Sequence, residues 1–196
     1  MSKERWYDLV YVLCRPLAWL FFPHTYFGRE NVPEGPAIII ANHSNASDPI
    51  LVSLALGDKH FVRHLAKAET RKVPFLNWLM KKAGSIFIRR GESDIEGFKQ
   101  CIRALKAGEK LMIFPEGTRV HGDNRIPAKI GAFRLAAKLH VPVVPVYLPR
   151  DKKLFRHMDV VIGEPYYVEG DARADYNALA QEGMDRIWAL KEKIHG

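Results

Sequence analysis

The sequence predicts an α/β fold in which helices flank a central sheet that is mixed but mainly parallel. Short apolar runs rich in β-branched residues are typical of buried strands, and helix-like segments separate most of them. Such alternation is characteristic of α/β domains. The chain has 196 residues, of which 47% are hydrophobic, so it is long enough to bury a sizeable core in one domain.

Residues 1–30 are expected to form an N-terminal helical segment that precedes the main domain, 31–196. The stretch Trp6–Phe27 is rich in large apolar residues, but two charged residues and Pro16 interrupt it. A spanning helix needs about 20 mostly apolar residues, and a signal peptide needs an unbroken apolar centre. We therefore predict two short amphipathic helices, which lie either in a membrane interface or on the domain core.

Five apolar runs in the main domain predict strands, because each is short and rich in β-branched residues. They are Ala37–Ala41, Ser85–Ile88, Leu111–Phe114, Val143–Leu148 and Val160–Ile162. Five further segments predict helices, because they show an apolar stripe or end near a glycine that can cap them. They are Pro49–Leu56, Pro74–Lys82, Asp94–Lys106, Lys129–Leu139 and about Ala174–Ile194.

Polar residues follow three of the predicted strands. Asn42 and His43 follow the first, Arg89 and Arg90 the second, and PEGTR, residues 115–119, the third. In open α/β sheets, ligands bind outside the carboxyl ends of the strands. If these strands run parallel, one histidine, one glutamate and up to three arginines converge on one crevice.

His43 and Asp48 allow two interpretations. Asp48 precedes Pro49, which is typical of a helix start with an acidic N-cap, and His43 is then an ordinary loop residue. Alternatively, the carboxylate also accepts the Nδ1 proton of His43 and leaves Nε2 available as a base. No Gly-x-Ser-x-Gly pattern supplies a nucleophile, so such a base would act directly on a substrate hydroxyl.

The formal net charge is +8, and residues 59–90 carry nine Lys or Arg against one acid. This basic block either forms a solvated face or attracts phosphate groups, which would belong to a nucleic acid, a lipid surface or a substrate. A nucleic-acid-binding module explains the block but not the His43–Asp48 pattern, and no recognition motif is present. We therefore expect no nucleic-acid partner.

Two further patterns bear on metals and redox chemistry. His60 and His64 have the i, i+4 spacing that can place two zinc ligands on one helix face, but no third ligand is evident, so we expect no metal. Cys14 and Cys101 lie far apart and predict free thiols in a reducing compartment.

Four blocks, taken together, resemble those of the glycerol-phosphate acyltransferase superfamily. NHSNASD (42–48) resembles its His-x4-Asp signature, and GSIFIRR (84–90) resembles its second block. FPEGTR (114–119) matches the third block, and VPVVPVYL (141–148) resembles the fourth. The blocks occur in the family's order, and KAE (67–69) resembles its basic stretch between the first two. The match is closest to the bacterial 1-acylglycerol-3-phosphate O-acyltransferases.

The resemblance implies an acyltransferase that uses acyl-CoA or acyl carrier protein as co-substrate and no other cofactor. The acceptor would be the sn-2 hydroxyl of 1-acylglycerol 3-phosphate, and the product phosphatidic acid. Glycerol 3-phosphate or another lysolipid is the alternative acceptor. His43 would be the general base, Asp48 would orient it, and residues 31–196 would be the catalytic domain.

The resemblance also implies roles in substrate binding. Arg119, with Arg90, would bind the phosphate. Gly117 would let the backbone approach the ligand, and Thr118 would add a hydroxyl or cap the next turn. Glu116 would either accept a hydrogen bond from a glycerol hydroxyl or balance the charge of Arg119.

Lys67 is expected either to stabilise an oxyanion or phosphate, or to be a solvated helix lysine. Because the implied substrate is a lipid, the resemblance also implies a peripheral or monotopic enzyme on the cytoplasmic face of a membrane, attracted by anionic lipid. VPFLNWLM, residues 73–80, would dip into that interface, line an acyl tunnel or pack in the core.

Overall fold

Seven strands form one sheet in the computed structural model, which describes residues 3–89, 94–122, 124–171 and 173–192. The strands are β1 His24–Phe27, β2 Ile38–Ala41, β3 Val62–Lys67, β4 Ile86–Ile88, β5 Lys110–Ile113, β6 Val143–Tyr147 and β7 Met158–Ile162. Their spatial order is β1-β7-β6-β2-β5-β3-β4. Of these neighbouring pairs, β6–β7 is antiparallel and the others are parallel, which confirms a mixed, mainly parallel sheet.

Helices cover both faces of the sheet. They are α1 Lys3–Phe21, α2 Asp48–Leu56, α3 Pro74–Lys82, α4 Ile95–Lys106, α5 Gly131–Leu139 and α6 Tyr176–Glu192. Alternate residues of β2 point to opposite faces, as strand geometry requires. Ile38 and Ile40 pack in one apolar cluster with α4, α5 and α6, whereas Ile39 and Ala41 pack in a second cluster with α1 and α2. The α/β fold predicted from the alternation of elements is therefore confirmed.

Two strands were missed by the sequence analysis. Strand β1 lies in the stretch assigned to the N-terminal helical segment, yet it pairs in parallel with β7, His24 lying opposite Met158. Strand β3 lies in the basic block, and its central residues are only partly buried. His64 belongs to this strand and His60 precedes it, so the helix face assumed for a zinc pair does not form. The described residues contain no group of three or more possible metal ligands.

The prediction of two short helices at the N-terminus is wrong, because α1 is one helix of 19 residues with Pro16 inside it. Tyr7 and Tyr11 are buried against the domain, and the hydroxyl of Tyr11 lies 3.4 Å from the carbonyl of Leu54. None of the helices in the described ranges is both long and apolar enough to cross a membrane. Ile194, the predicted end of the last helix, lies outside these ranges.

Candidate active site

The carboxyl ends of five neighbouring strands meet at one edge of the sheet, because β6, β2, β5, β3 and β4 all run in the same direction. The loop after β2 carries His43, and the loop after β5 carries residues 116–119. Lys67 is the last residue of β3, so it is not a helix lysine. The sheet therefore brings together the polar residues that the sequence places after separate strands.

His43 and Asp48 form the pair at the centre of this edge. The Nδ1 of His43 lies 2.9 Å from Oδ2 of Asp48. Since an ionised carboxylate can only accept, Nδ1 is the protonated nitrogen of the neutral ring. The imidazole also stacks on Phe114, with ring centroids 4.2 Å apart. No atom of the described residues hydrogen-bonds to Nε2, so the arrangement suits a general base.

Asp48 is fully buried and surrounded by donors. Its Oδ2 also accepts the backbone N–H groups of Ser44, at 2.6 Å, and Asn45, at 2.7 Å. Burial would raise the pKa of Asp48, but the bond from His43, the charge of Lys152 and these N–H groups together lower it below its ordinary value. The carboxylate turns back onto the preceding loop instead of capping α2, whose N-cap residue is Ser47.

Glu116 occupies a different position from either one expected for it. The residue is only 2% exposed, and Oε2 accepts the backbone N–H of His43 at 2.6 Å. Its other oxygen forms an ion pair with the guanidinium of Arg150. Burial raises the pKa of Glu116, although the hydrogen bond from His43 and the charge of Arg150 oppose this. The glutamate balances Arg150, not Arg119, and holds the backbone of the histidine.

The loop after β5 is locked to the loop after β2. The backbone N–H of Val120 donates to the carbonyl of His43 at 2.8 Å. Gly117 has a φ of +68°, in the left-handed region that favours glycine, and a Cβ there would lie 3.3 Å from Cγ of Lys129. This turn brings Thr118 and Arg119 to the same cavity as His43.

A cavity of about 510 Å³ opens beside the imidazole. His43, Lys67, Thr118 and Arg119 line it, so a base and a guanidinium share one space. Most of the remaining wall is apolar and comes from α1, α2, α3 and β3. The volume lies within the range typical of small-molecule sites, roughly 300–1,000 Å³.

The segment 73–80 has residues both in the cavity wall and on the surface, and its expected contacts with a membrane or an acyl chain stay predictions. Leu79 and Met80 line the cavity, whereas Val73 and Trp78 are exposed. The indole of Trp78 meets that of Trp6 on α1 edge-on at 5.7 Å. Helix α3 therefore contributes both to the cavity wall and to the outer surface.

His64 is a second histidine in the cavity wall, but its environment disfavours a charge. Its Nε2 lies 2.9 Å from the hydroxyl of Ser53 and 3.3 Å from the carbonyl of Pro49. Burial lowers the pKa of His64 to about 4, against a small opposing effect of the Pro49 carbonyl. At neutral pH this ring is an uncharged hydrogen-bonding group.

Two arginines follow β4. Arg90 lies outside the described residues, so its expected contact with phosphate stays a prediction. Arg89 is exposed, and its backbone N–H donates at 2.7 Å to the side chain of Asp94, the N-cap residue of α4. The described part of this strand end is therefore fixed by a helix cap.

Lys152 and Arg150, which contact Asp48 and Glu116, were missed by the sequence analysis. Both follow β6, the strand on the other side of β2 from β5. The rule applied to the other strands, that polar residues after a parallel strand reach the ligand edge, would have found them in the run PRDKK, residues 149–153.

Comparison with known proteins shows which family the chain resembles. A family model described as Acyltransferase matches residues 24–149. A chloroplastic 1-acyl-sn-glycerol-3-phosphate acyltransferase of Brassica napus is 32% identical over 181 residues, 85% of this chain and 50% of that protein. A lyso-ornithine lipid O-acyltransferase of Pseudomonas aeruginosa is 37% identical over 123 residues, 61% of this chain and 46% of that protein.

A solved structure is similar to this chain over most of its length. It is the crystal structure of the 1-acyl-sn-glycerophosphate (LPA) acyltransferase PlsC from Thermotoga maritima, with a TM-score of 0.70 at 26% sequence identity. The match covers 97% of this chain and 77% of that one. The chain spans half or less of the length of the first curated relatives it matches.

Proposed function

Because the chain belongs to the acyltransferase family, we propose that it moves a fatty acyl group from a thioester to the sn-2 hydroxyl of 1-acylglycerol 3-phosphate. The products are phosphatidic acid and the free thiol of CoA or of acyl carrier protein. The observation that carries this proposal is that His43 and Arg119 line one cavity with a mainly apolar wall. Acylation of such an acceptor needs a base for its hydroxyl, a cation for its phosphate and an apolar surface for the acyl chain, all in one place.

In the proposed reaction, Nε2 of His43 takes the proton of the acceptor hydroxyl as its oxygen attacks the thioester carbonyl carbon. The carbon–oxygen bond forms, the carbon–sulfur bond breaks, and the imidazolium returns the proton to the leaving thiolate. Asp48 stabilises the imidazolium, because its carboxylate lies 2.9 Å from Nδ1. The histidine therefore ends the cycle in its starting state.

Arg119 is proposed to bind the acceptor phosphate. Its guanidinium can form two parallel hydrogen bonds to a phosphate, which fixes orientation as well as charge. Lys67 lies at the end of a neighbouring strand and lines the same cavity, so it adds positive charge there. Thr118 supplies a hydroxyl beside them.

The acyl chain is proposed to occupy the apolar part of the cavity. Tyr11 from α1, Leu54 from α2, Leu65 from β3 and Leu79 from α3 line this part. Burial of a methylene group is worth about 0.8 kcal/mol, so such a wall favours a long aliphatic chain over water. Helix α1 thus forms part of the substrate site.

We also propose that the protein binds the cytoplasmic face of a membrane as a peripheral or monotopic enzyme. The outer face of α1 exposes large apolar side chains, which include Val12, Leu13 and Trp19. The loop between β6 and β7 extends this surface with Leu154 and Phe155, and the Phe155 ring lies 5.8 Å from that of Phe21. Exposed aromatic and aliphatic side chains next to cations suit an anionic bilayer surface.

The direct test offers purified protein an acyl-CoA with 1-acylglycerol 3-phosphate, glycerol 3-phosphate or lysophosphatidylcholine, and measures thiol release. We expect release with the first acceptor. The His43→Ala variant should lose about 10² to 10⁴ in rate, whereas His121→Ala, at an exposed histidine outside the cavity, should keep it. Near-native turnover of folded His43→Ala protein rules out the proposed base.

A second acceptor class is supported by the similarity to a lyso-ornithine lipid O-acyltransferase. The same assay therefore includes a lyso-ornithine lipid. Preference for this acceptor, with no dependence on Arg119, would replace the phosphate-bearing acceptor in the proposal.

Membrane binding is tested by co-sedimentation with vesicles of phosphatidylglycerol and phosphatidylcholine. We expect binding that rises with the anionic fraction and falls with salt, and poor competition by duplex DNA at physiological salt. Phe155→Gly should weaken sedimentation with little loss of stability, since Phe155 has a φ of +60° that glycine adopts easily. Equal sedimentation of both proteins would exclude the loop from the contact.

A further inference from the structure

We infer that Lys152 and Arg150, in the loop between β6 and β7, are positioning residues for the His43–Asp48 pair. Lys152 would act through the carboxylate of Asp48, and Arg150 would act through Glu116 on the backbone of His43. The inference rests on the proposed function for its rate measurements, but its structural core is testable without substrate.

Lys152 is placed to hold Asp48. Its side chain is fully buried, and Nζ lies 2.9 Å from Oδ1 of Asp48, in an ion pair that is not an aligned hydrogen bond. The ammonium also donates to the hydroxyl of Ser44 at 2.8 Å and to the carbonyl of Pro149 at 2.5 Å. A buried lysine surrounded by three oxygens is built into the site and does not reach it from the surface.

The two carboxylate oxygens of Asp48 therefore have different partners. Oδ2 faces His43 and the backbone N–H groups of its loop, whereas Oδ1 faces the ammonium of Lys152. Without that charge, a fully buried carboxylate takes up a proton more easily. A protonated Asp48 no longer favours the tautomer with the proton on Nδ1, so Nε2 would lose its role as acceptor.

Arg150 acts at the other side of the histidine. Its guanidinium pairs with Glu116, donates to the carbonyl of Gly122 at 2.9 Å and lies 4.5 Å from the ring centre of Trp188. Glu116 in turn accepts the backbone N–H of His43 at 2.6 Å. The arginine thus fixes a carboxylate that fixes the histidine.

Neither basic residue is among the described residues that line the cavity beside His43. Both instead line a second cavity, of about 360 Å³. They are therefore placed to act through His43 and Asp48 and not on the substrate. Lys152 pairs with Asp48 and Arg150 pairs with Glu116, so each of the four charges has a partner of opposite sign.

The decisive experiment compares Lys152→Met with Lys152→Arg and with Lys153→Met, a control at the exposed neighbouring lysine. We expect Lys152→Met to lower kcat between about 10- and 100-fold with little change in the KM of the acceptor. The acid limb of its pH–rate profile should move to higher pH. Without the positive charge of Lys152, the Asp48 carboxylate takes up a proton at a higher pH. Lys152→Arg should restore part of the rate, and Lys153→Met should behave like the wild type.

A readout without substrate separates the inference from the proposed function. The ¹⁵N chemical shifts of the His43 ring report its tautomer and its titration. We expect a smaller share of the Nδ1-protonated tautomer in folded Lys152→Met at neutral pH than in the wild type. If the shifts change but no lysolipid is acylated, the proposed function fails and the positioning role stands.

A double variant covers the case in which Lys152→Met fails to fold. Lys152→Met combined with Asp48→Asn removes both charges together, and its residual rate is compared with that of Asp48→Asn alone. We expect equal rates, because the lysine acts through the aspartate. A further loss in the double variant, or an unchanged tautomer, rate and pH profile in folded Lys152→Met, overturns the inference.

Discussion

At the scale of single residues, His43 is fixed at four points. Asp48 holds its ring nitrogen, Phe114 supports its ring face, and Glu116 and Val120 hold its backbone N–H and carbonyl. The proposed general base, when fixed in this way, loses little freedom as the reaction begins, and such orientation lowers a barrier. Of these contacts, the sequence predicted only the one with Asp48.

Replacement of Glu116 distinguishes the observed contact from the expected ones. In Glu116→Gln, the amide keeps the shape but leaves the guanidinium of Arg150 without a buried counter-charge. We expect stability to fall by about 3–5 kcal/mol and kcat to fall, with the KM of the acceptor unchanged. Denaturant unfolding and steady-state kinetics measure both, and Glu164→Gln is a control at an exposed glutamate. A raised KM at unchanged stability would support a bond to a glycerol hydroxyl instead.

His64 makes stability depend on pH. Its pKa falls from 6.5 to about 4 on folding, so the unfolded chain binds more protons between these values. The stabilising contribution is therefore complete above pH 6.5 and is lost as the pH falls towards 4. At about 1.4 kcal/mol for each pKa unit, the loss is at most about 3 kcal/mol.

The measurement is chemical denaturation between pH 4 and 7 for the wild type and for His64→Gln, whose amide does not titrate. We expect a shallower fall in the free energy of unfolding for the variant over this interval. The difference between the two proteins isolates His64, because contributions of other histidines and of Glu116 are common to both. Parallel curves would mean that His64 titrates normally in the folded protein.

At the scale of elements, the packing of α6 against α5 requires a glycine in α6, where helix propensity alone would favour alanine. Gly183 lies inside this helix, where alanine would be favoured by about 1 kcal/mol. A Cβ at this position would lie 2.3 Å from Cε1 of Phe133 on α5. We expect Gly183→Ala to be destabilising by about 1–3 kcal/mol in urea unfolding, because overpacking outweighs helix propensity.

A paired variant gives this prediction its control. Phe133→Leu removes the obstructing ring. Gly183→Ala should therefore lower the free energy of unfolding less in the Phe133→Leu protein than in the wild type. Additive losses would show that the clash is relieved in another way.

The elements that the sequence predicted and those that it missed differ in a physical respect. Strands β2, β5 and β6 are buried on both faces and therefore consist of apolar runs. Strand β1 has only four residues of alternating burial, and β3 carries Arg63, His64 and Lys67. Their strand character comes from pairing with β7 and with β5, which no local pattern contains. The same holds for Lys152, whose contact with Asp48 depends on the order of the strands.

At the scale of the whole molecule, the sheet joins distant parts of the chain at the site. Asn42 is fully buried and bridges the ends of two strands. Its amide donates to the carbonyl of Leu148 at 2.8 Å and accepts the N–H of Leu148 at 2.9 Å, across 106 residues of sequence. This pair of bonds keeps the loop after β6 beside the loop after β2.

Removal of this bridge should affect both stability and rate. Asn42→Ala leaves two buried backbone groups unpaired, at roughly 1–3 kcal/mol each. We expect thermal unfolding at a lower temperature and a lower kcat, because Lys152 and Asp48 are no longer held together. Asn45→Ala, at an exposed asparagine of the same loop, should leave the unfolding temperature nearly unchanged. If Asn42→Ala unfolds like the wild type, water replaces the bridge.

The contact of the imidazole with Phe114 has one more consequence. An aromatic ring has a negative face, which attracts a positive group more strongly than it attracts a neutral one. The stacking of His43 at 4.2 Å therefore strengthens once the histidine becomes cationic. In the proposed reaction, an interaction that grows with the charge on His43 stabilises the transition state more than the ground state. A phenyl group that never meets the proton would thus contribute to its transfer.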